Sequence, residues 1–361
     1  MQTQGVNKAI SRRGGIETGM TEKNGEVGSR CLRVPKGRAE AVRRMLHELG
    51  LLRKDLHPAR FGDDVYLPLN AGEYQGEGEI CEARFKPVRG APRSYRALVE
   101  VPETLRPLLP RAFDVIGKVI IIKIPDELQA YRQQIGRALL QARPEALSVA
   151  VDKGVKGEDR IRELEVVAGS PSLETMHVEH GLKFILDPSR VFFSPRLATE
   201  RLRVARIVAG REAVLDMFAG VGPFAIHIAK HAEPSVVYAA DINPAAIEYL
   251  KRNIRLNRVL GVEPILGDAR ELPGKIPAVD RIIMNLPHRA SEFLPEAMRL
   301  LRPGGTVHLY DLLEPEEKQR RSSELASIIK NEGREIGWIS ARLVRGYSAK
   351  ESHFVFDVIV R

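Results

Sequence analysis

The stretch Val214–Phe224, Val-Leu-Asp-Met-Phe-Ala-Gly-Val-Gly-Pro-Phe, constrains the fold more than any other part of the chain. A short apolar run enters a glycine turn, and Phe224 to Lys230 then has apolar residues at helical spacing. The stretch therefore reads as strand, tight loop and helix start. Glycines at 220 and 222 allow backbone angles that a side chain forbids and let a ligand approach the chain. In open α/β sheets such loops lie beyond the carboxyl ends of the strands, where nucleotide-like ligands bind. The dinucleotide fingerprint G-x-G-x-x-G lacks its third glycine here, and Asp216 ahead of the turn suits a cationic ligand better than a pyrophosphate. On this loop alone, a purely structural β-α turn is the alternative.

The following strand ends narrow the choice. Val236–Ala240 reads as a second strand ending in Asp241-Ile242, and an acidic residue about 20 positions beyond the loop can accept both hydroxyls of a ribose. Pro264–Ala269 is a third strand edge, with Asp268 able to accept from an adenine amino group beside Ala269. Val279–Pro287 is a fourth strand that closes in Asn285-Leu286-Pro287. Four strand ends thus carry Gly, Asp, Asp and Asn at the spacing of βα units. That constellation resembles the class I S-adenosylmethionine-dependent methyltransferases. The resemblance implies S-adenosyl-L-methionine as cofactor, held by Asp216, Phe218, Gly220, Gly222, Asp241, Ile242, Asp268, Ala269 and Asn285. Asn-Leu-Pro resembles the Asn-Pro-Pro-aromatic motif of enzymes that methylate a base nitrogen, with leucine in second place.

At 361 residues the chain is long enough for two or three domains, and 43% hydrophobic with 29% charged residues is a globular balance. No apolar run approaches the roughly 18 residues of a membrane span, and no secretory signal opens the chain, so a cytoplasmic protein is expected. Two cysteines, Cys31 and Cys81, exclude a disulfide framework and a cysteine zinc site, and no metal site is expected. The net charge of +9 is uneven: residues 1–60 hold 13 Lys and Arg against 6 Asp and Glu. A phosphate-bearing partner held partly by the N-terminal region fits that asymmetry, as does a merely solvated basic surface.

In chain order, residues 1–28 read as a flexible extension, 29–72 as a small basic α+β domain, and 73–92 as a linker low in apolar residues. Residues 93–183 form a middle α+β domain, with strands on either side of Gly117, a helix over 127–142 and a strand over 147–151. Residues 184–361 form the Rossmann-like domain. The fold class is thus α/β, a Rossmann-like catalytic domain preceded by two smaller α+β domains. Lys153-Gly154-Val155-Lys156-Gly157 reads as a loop that can approach a nucleic-acid backbone. Arg160 and Arg162 would share one strand face, one of them reaching a substrate or else pairing with Glu163 or Glu165. Phe192 and Phe193, ahead of Ser194-Pro195, offer a stacking surface for a base or belong to the core. Arg302–Gly305 reads as a turn, and Val344–Ser348 as a loop before the last strand.

Taken together, the Lys153–Gly157 loop, Arg160–Leu164, Phe193–Arg201, the glycine loop and Asn-Leu-Pro resemble the archaeal/eukaryotic tRNA (guanine-37-N1)-methyltransferase family over residues 29–361. The resemblance implies a partner, tRNA, with the small domain on its outer corner and the other two on the anticodon stem-loop. It implies Glu200 as general base for guanine N1, Arg160 as the cation beside O6, and Asn285 with Pro287 holding the guanine edge. Phe192, where the family has a stacking tyrosine, together with Ser194, Arg196, Lys153, Lys156, Arg201, Arg345 and Tyr347 would meet the RNA. Guanine N1 is protonated at neutral pH, so transfer needs that proton removed, a service typically worth about a hundred- to ten-thousand-fold in rate. Rivals are aminocarboxypropyl transfer or methylation of a tricyclic guanine in wyosine synthesis, methylation of another tRNA base position such as N2, and a non-catalytic tRNA-binding protein. No extra apolar helix face asks for a partner, so a monomer is expected.

Overall fold

The computed structural model describes residues 26–53, 55–70, 74, 76, 78–87, 94–156, 161–348 and 350–361, with Val155 and Lys156 as backbone. The chain divides into two units, residues 1–93 and 94–361.

In the first unit, β1 (Val27–Pro35), α1 (Ala39–Glu48), β2 (Ala59–Phe61), β3 (Asp64–Pro68) and β4 (Glu79–Phe85) build an antiparallel sheet in the order β2-β3-β1-β4. The helix buries Val42 and Leu46 in a core with Leu32, Val34, Val65 and Leu67. Strand β4 corrects the expectation of a linker over 73–92. It is an edge strand whose Glu79, Glu82 and Arg84 hide the apolar alternation, a common way of protecting an edge. Its Cys81 stands opposite Cys31 with the two Sγ atoms 3.0 Å apart, both thiols free. Burial, then the neighbouring thiol, pushes the Cys31 pKa up to about 12. The expected extension lies outside the described residues as far as residue 25, and β1 opens at Val27.

The second unit begins with β5 (Asp114–Ile116), β6 (Val119–Ile122), α2 (Arg132–Ala142), β7 (Ser148–Lys156) and β8 (Ile161–Gly169), a sheet in the order β5-β6-β7-β8. Strands β6 and β7 are parallel and α2 crosses between them, burying Ile135 and Leu139 against Ile120, Ile122, Val149 and Val151. The loop expected at Lys153–Gly157 continues β7 as far as Lys156. A hairpin follows, β9 (Thr175–Glu179) and β10 (Leu182–Leu186), turning through His180 and Gly181 at φ +47° and +82°. The boundary expected at residue 184 cuts β10. Its Leu182, Phe184 and Leu186 share a core with Val214 and Phe224 and also with Ile121 and Ala150 of the middle sheet.

Then come α3 (Ala198–Ile207), β11 (Ala213–Asp216), α4 (Pro223–His231), β12 (Val236–Asp241), α5 (Pro244–Asn257) and β13 (Val262–Leu266). The chain finishes with β14 (Val279–Met284), α6 (Leu294–Leu300), β15 (Leu301–Leu313), α7 (Lys318–Asn331), β16 (Ile336–Gly346) and β17 (Ser352–Val360). Asn253 on α5 acts as a strand partner for β10: its Oδ1 accepts from the Ile185 amide at 2.7 Å and its Nδ2 donates to the Ile185 carbonyl at 3.1 Å. The seven strands lie in the order β13-β12-β11-β14-β15-β17-β16, parallel except that β17 runs antiparallel to both neighbours. Successive residues of β11 face opposite layers: Val214 packs with α4 and α5, and Leu215 with α6 and α7. Two local expectations change. Residues 344–346 belong to β16 rather than to a loop, and Arg302–Gly305 is taken into β15. Among the described residues no helix is long and apolar enough to cross a membrane.

Candidate active site

The glycine loop is set by the neighbouring strand. The Gly220 amide donates to Asp241 Oδ2 at 2.7 Å, while Oδ1 accepts from the Asn243 amide at 2.8 Å, so one carboxylate ties the loop to the end of β12. Gly220 sits at φ +55°, where a side chain is disfavoured. Gly222, at φ +86°, serves packing: a Cβ there would lie 2.2 Å from Leu250 Cδ1, so its absence lets α4 close onto α5. It does not line the cavity beside the loop.

That cavity encloses about 540 Å³, and three parts of the second unit supply its walls. The strand ends of the seven-stranded sheet give Phe218, Gly220, Asp241, Ile242, Asp268 and Ala269, and then Asn285 and Pro287. The segment before α3 gives Phe192, Ser194 and Arg196, and the end of β16 gives Arg345 and Tyr347. The middle sheet adds Asp114, Asp152 and Arg162. Fourteen of the expected residues, the thirteen named from the sheet ends, the segment before α3 and the end of β16 together with Arg201, therefore converge on one space despite their separation in sequence.

The walls are chemically distinct. Asp268 Oδ1 accepts from the Arg270 amide at 2.8 Å and Oδ2 from its guanidinium at 3.0 Å; that guanidinium lies 4.4 Å from the Phe293 ring centre, and Phe293 meets Phe218 edge-on. A planar ring bound there would find an aromatic floor and an acceptor at its rim. Asn285 Oδ1 is buried with no hydrogen-bond partner, an acceptor whose desolvation is met only by an incoming donor. Toward the middle sheet, Asp114 accepts from Arg196 at 2.7 Å and from Arg162 at 3.2 Å. Arg162 thus pairs with Asp114 instead of Glu163 or Glu165, and Glu165 takes Lys153 at 2.7 Å and Arg132 at 3.2 Å. Burial, then the charge of Arg196, lowers the Arg345 pKa, and its Nε has no partner. Both residues of the aromatic pair line the cavity, but Phe192 is 39% exposed whereas Phe193, 3% exposed, is packed into the core.

Several expected residues stand elsewhere. Arg201 touches the cavity wall but is 2% exposed, donating to Glu179 at 2.6 Å and to the Ser194 carbonyl at 2.8 Å. Its charge is consumed in the core, where it fixes the Phe193-Ser194 segment instead of meeting RNA. Asp216 is fully buried beneath the loop, both oxygens without a hydrogen-bond partner, and does not line the cavity. Burial, then the charge of Asp241, pushes its pKa up to about 7; the amides of Phe218 and Ala225 oppose this without closing a hydrogen bond. Lys153 is tied to Glu165, away from the cavity lining. The Lys156 side chain and Arg160 lie outside the described residues.

Glu200, expected beside Asn285 and Pro287, is 4% exposed and not part of the cavity wall. Arg203 donates to both its oxygens at 3.1 Å, Tyr310 donates to Oε1 at 2.8 Å, and Arg342 holds Oε2. Burial works to raise its pKa, but these donors outweigh it and hold the carboxyl below the usual range. Asp114, Asp152, Arg270 and Phe293 were not singled out as site residues; Asp268-x-Arg270, an Asx turn, was the one local signal available among them.

The class defined by this sheet order, its glycine loop and its row of strand-end acceptors is the Rossmann-like, class I methyltransferase. The sequence model of the TRM5/TYW2 methyltransferase domain matches residues 175–336, that of the TYW2 N-terminal domain residues 96–172, and that of the tRNA methyltransferase 5 N-terminal domain residues 31–73. The chain is 42% identical over 331 residues to the tRNA (guanine(37)-N(1))-methyltransferase Trm5b of Pyrococcus abyssi, covering 91% of this chain and 98% of that one. The crystal structure of wild-type Trm5b from Pyrococcus abyssi superposes with a TM-score of 0.70 at 40% identity, covering 92% and 99%. A tRNA(Phe) (4-demethylwyosine(37)-C(7)) aminocarboxypropyltransferase of Pyrococcus horikoshii is 32% identical over 264 residues, covering 72% of this chain and 93% of that one. The chain belongs to the TRM5/TYW2 family of methyltransferases.

Proposed function

We propose that the protein transfers the methyl group of S-adenosylmethionine to N1 of guanosine 37 in tRNA. One observation carries the reading: a single cavity joins the strand-end acceptors Asp241 and Asp268 to the Asn285–Pro287 corner and the half-exposed ring of Phe192. The residues fit the donor, since Asp241 suits a ribose, Asp268 an adenine amino group, and the orphaned carboxyl of Asp216 a cationic centre close by. When bound, the cofactor supplies an electrophilic methyl carbon on sulfur.

The chain's own residues do the rest. Phe192 stacks on a guanine that has left the anticodon loop, a flip costing a few kcal/mol. Asn285 Oδ1 accepts from the guanine edge and fixes the ring. Glu200 takes the N1 proton after turning out of its arginine clamp, and Arg160, on the family resemblance, steadies the charge that passes to O6. The basic first unit docks on the RNA backbone; a match to the tRNA methyltransferase 5 N-terminal domain supports that part. The same match, with near-complete coverage of Trm5b, favours methyl over aminocarboxypropyl transfer.

The test is methylation of tRNA transcripts with guanosine or adenosine at position 37, with the product read by mass. Addition of about 14 Da, only to the guanosine transcript, is expected. Addition of an aminocarboxypropyl group, or none, overturns the reading.

A further inference from the structure

Glu200, 4% exposed, is the end of a partly buried chain of charges. Arg203, which holds both its oxygens, also donates to Asp357 at 3.2 Å. Asp357 in turn holds His308 Nδ1 at 2.5 Å, His308 Nε2 meets Arg281 at 2.7 Å, and Arg281 is paired with Glu212 at 2.6 Å. Tyr310 is wholly buried on β15. Two of the three donors to Glu200 are therefore anchored in the sheet behind them.

Arg342 differs. Apart from Glu200, its guanidinium has one long bond, to the Leu343 carbonyl at 3.5 Å, its Nε has no partner, and its side chain is 41% exposed. It also stands beside the cavity. Strand β16 pairs Arg342 with Val355, Leu343 with Phe354 and Arg345 with His353, the irregularity between Leu343 and Arg345 absorbing one residue. Because side chains alternate along a strand, that bulge returns Arg345 to the face that carries Arg342, about 7 Å along. Arg345 and His353 both line the cavity. An RNA phosphate drawn to Arg345, whose charge is already crowded by Arg196, arrives within one side-chain length of Arg342.

We propose that Arg342 is a positioning residue that clamps Glu200 in the free protein and is released onto a phosphate of the bound RNA. The exchange is one of partners only: the guanidinium leaves a carboxylate for a phosphate, and no covalent bond changes. It frees Oε2, so the carboxylate becomes more basic and able to turn when substrate is present. Idle protein keeps it saturated. The inference rests on the reading of Glu200 as general base.

Affinity separates the two claims. Dissociation constants for a guanosine-37 tRNA transcript without donor are measured for wild type, Glu200→Gln, Arg342→Gln and the double variant. If the clamp must open on binding, Glu200→Gln binds about fivefold tighter, what one half-exposed ion pair is worth, and Arg342→Gln abolishes that gain. Arg342→Lys, which keeps a cation, retains it. Arg342→Gln also flattens the salt dependence of binding by about one phosphate contact. No gain in Glu200→Gln, or an equal gain in the Arg342→Gln background, overturns the clamp. Failure of the base reading shows separately, as wild-type turnover by Glu200→Gln.

Discussion

Replacing Asp216 with asparagine removes a charge that the free protein buries without a hydrogen-bond partner. Burial, with Asp241 second, pushes this pKa from the ordinary 3.8 up to about 7. A group whose folded-state pKa lies above its unfolded value contributes stability that is full below the unfolded value and is lost as pH rises through the folded one. The window runs from 3.8 to about 7, and each pH unit inside it changes stability by about 1.4 kcal/mol. Between about pH 5 and pH 8 the wild type should therefore lose about 3 kcal/mol from this residue. Asparagine does not titrate, and the other groups are common to both proteins. The stability difference should thus move by about 3 kcal/mol in favour of Asp216→Asn over that range. In a domain this large each kcal/mol is worth roughly 2–4 °C in melting temperature. Urea unfolding followed by circular dichroism at both pH values measures it. An equal difference at pH 5 and pH 8 would refute the claim that an unpaired carboxylate is ionising there. The same substitution should weaken S-adenosylmethionine in calorimetry at pH 8, because a positive ligand loses the field of a nearby negative charge.

Two further outcomes follow from single side chains. Phe192→Ala should raise the tRNA KM and lower kcat/KM by an amount equivalent to the roughly 1–3 kcal/mol of one stacked base, with donor affinity unchanged in calorimetry; Phe192→Tyr should keep the stack, and equal losses in both variants would sink it. Gly222→Ala should lower the melting temperature, since its Cβ would meet Leu250 at 2.2 Å on a backbone at φ +86°, whereas Gly210→Ala, with open space around it, should not.

The donor half of the cavity was legible in the chain because it is local. A strand end, a glycine turn and a helix start occupy about ten consecutive residues, and the acidic strand ends recur at βα spacing, so backbone geometry alone places Gly220, Asp241 and Asp268 together. The expectation was weaker wherever a residue's partner is distant. Arg201 and Glu200 are adjacent in sequence, yet helix α3 sends one to Glu179 on the hairpin and the other to Tyr310 and Arg342 on the far strands. Strand β4 escaped notice because its inward face is only Cys81, Ala83 and Phe85, interleaved with Glu82 and Arg84 and too short for its period to stand out.

By itself the sequence determined the Rossmann-like architecture, the cofactor class and the strand-end acceptors of the donor half of the cavity, because hydrophobic period and turn chemistry act over short stretches of chain. Tertiary structure alone decided which charges face the substrate space and which are neutralised behind it. Burying a charge is costly unless another charge meets it, and the partners here come from strands more than a hundred residues away, as with Glu200 and Arg342.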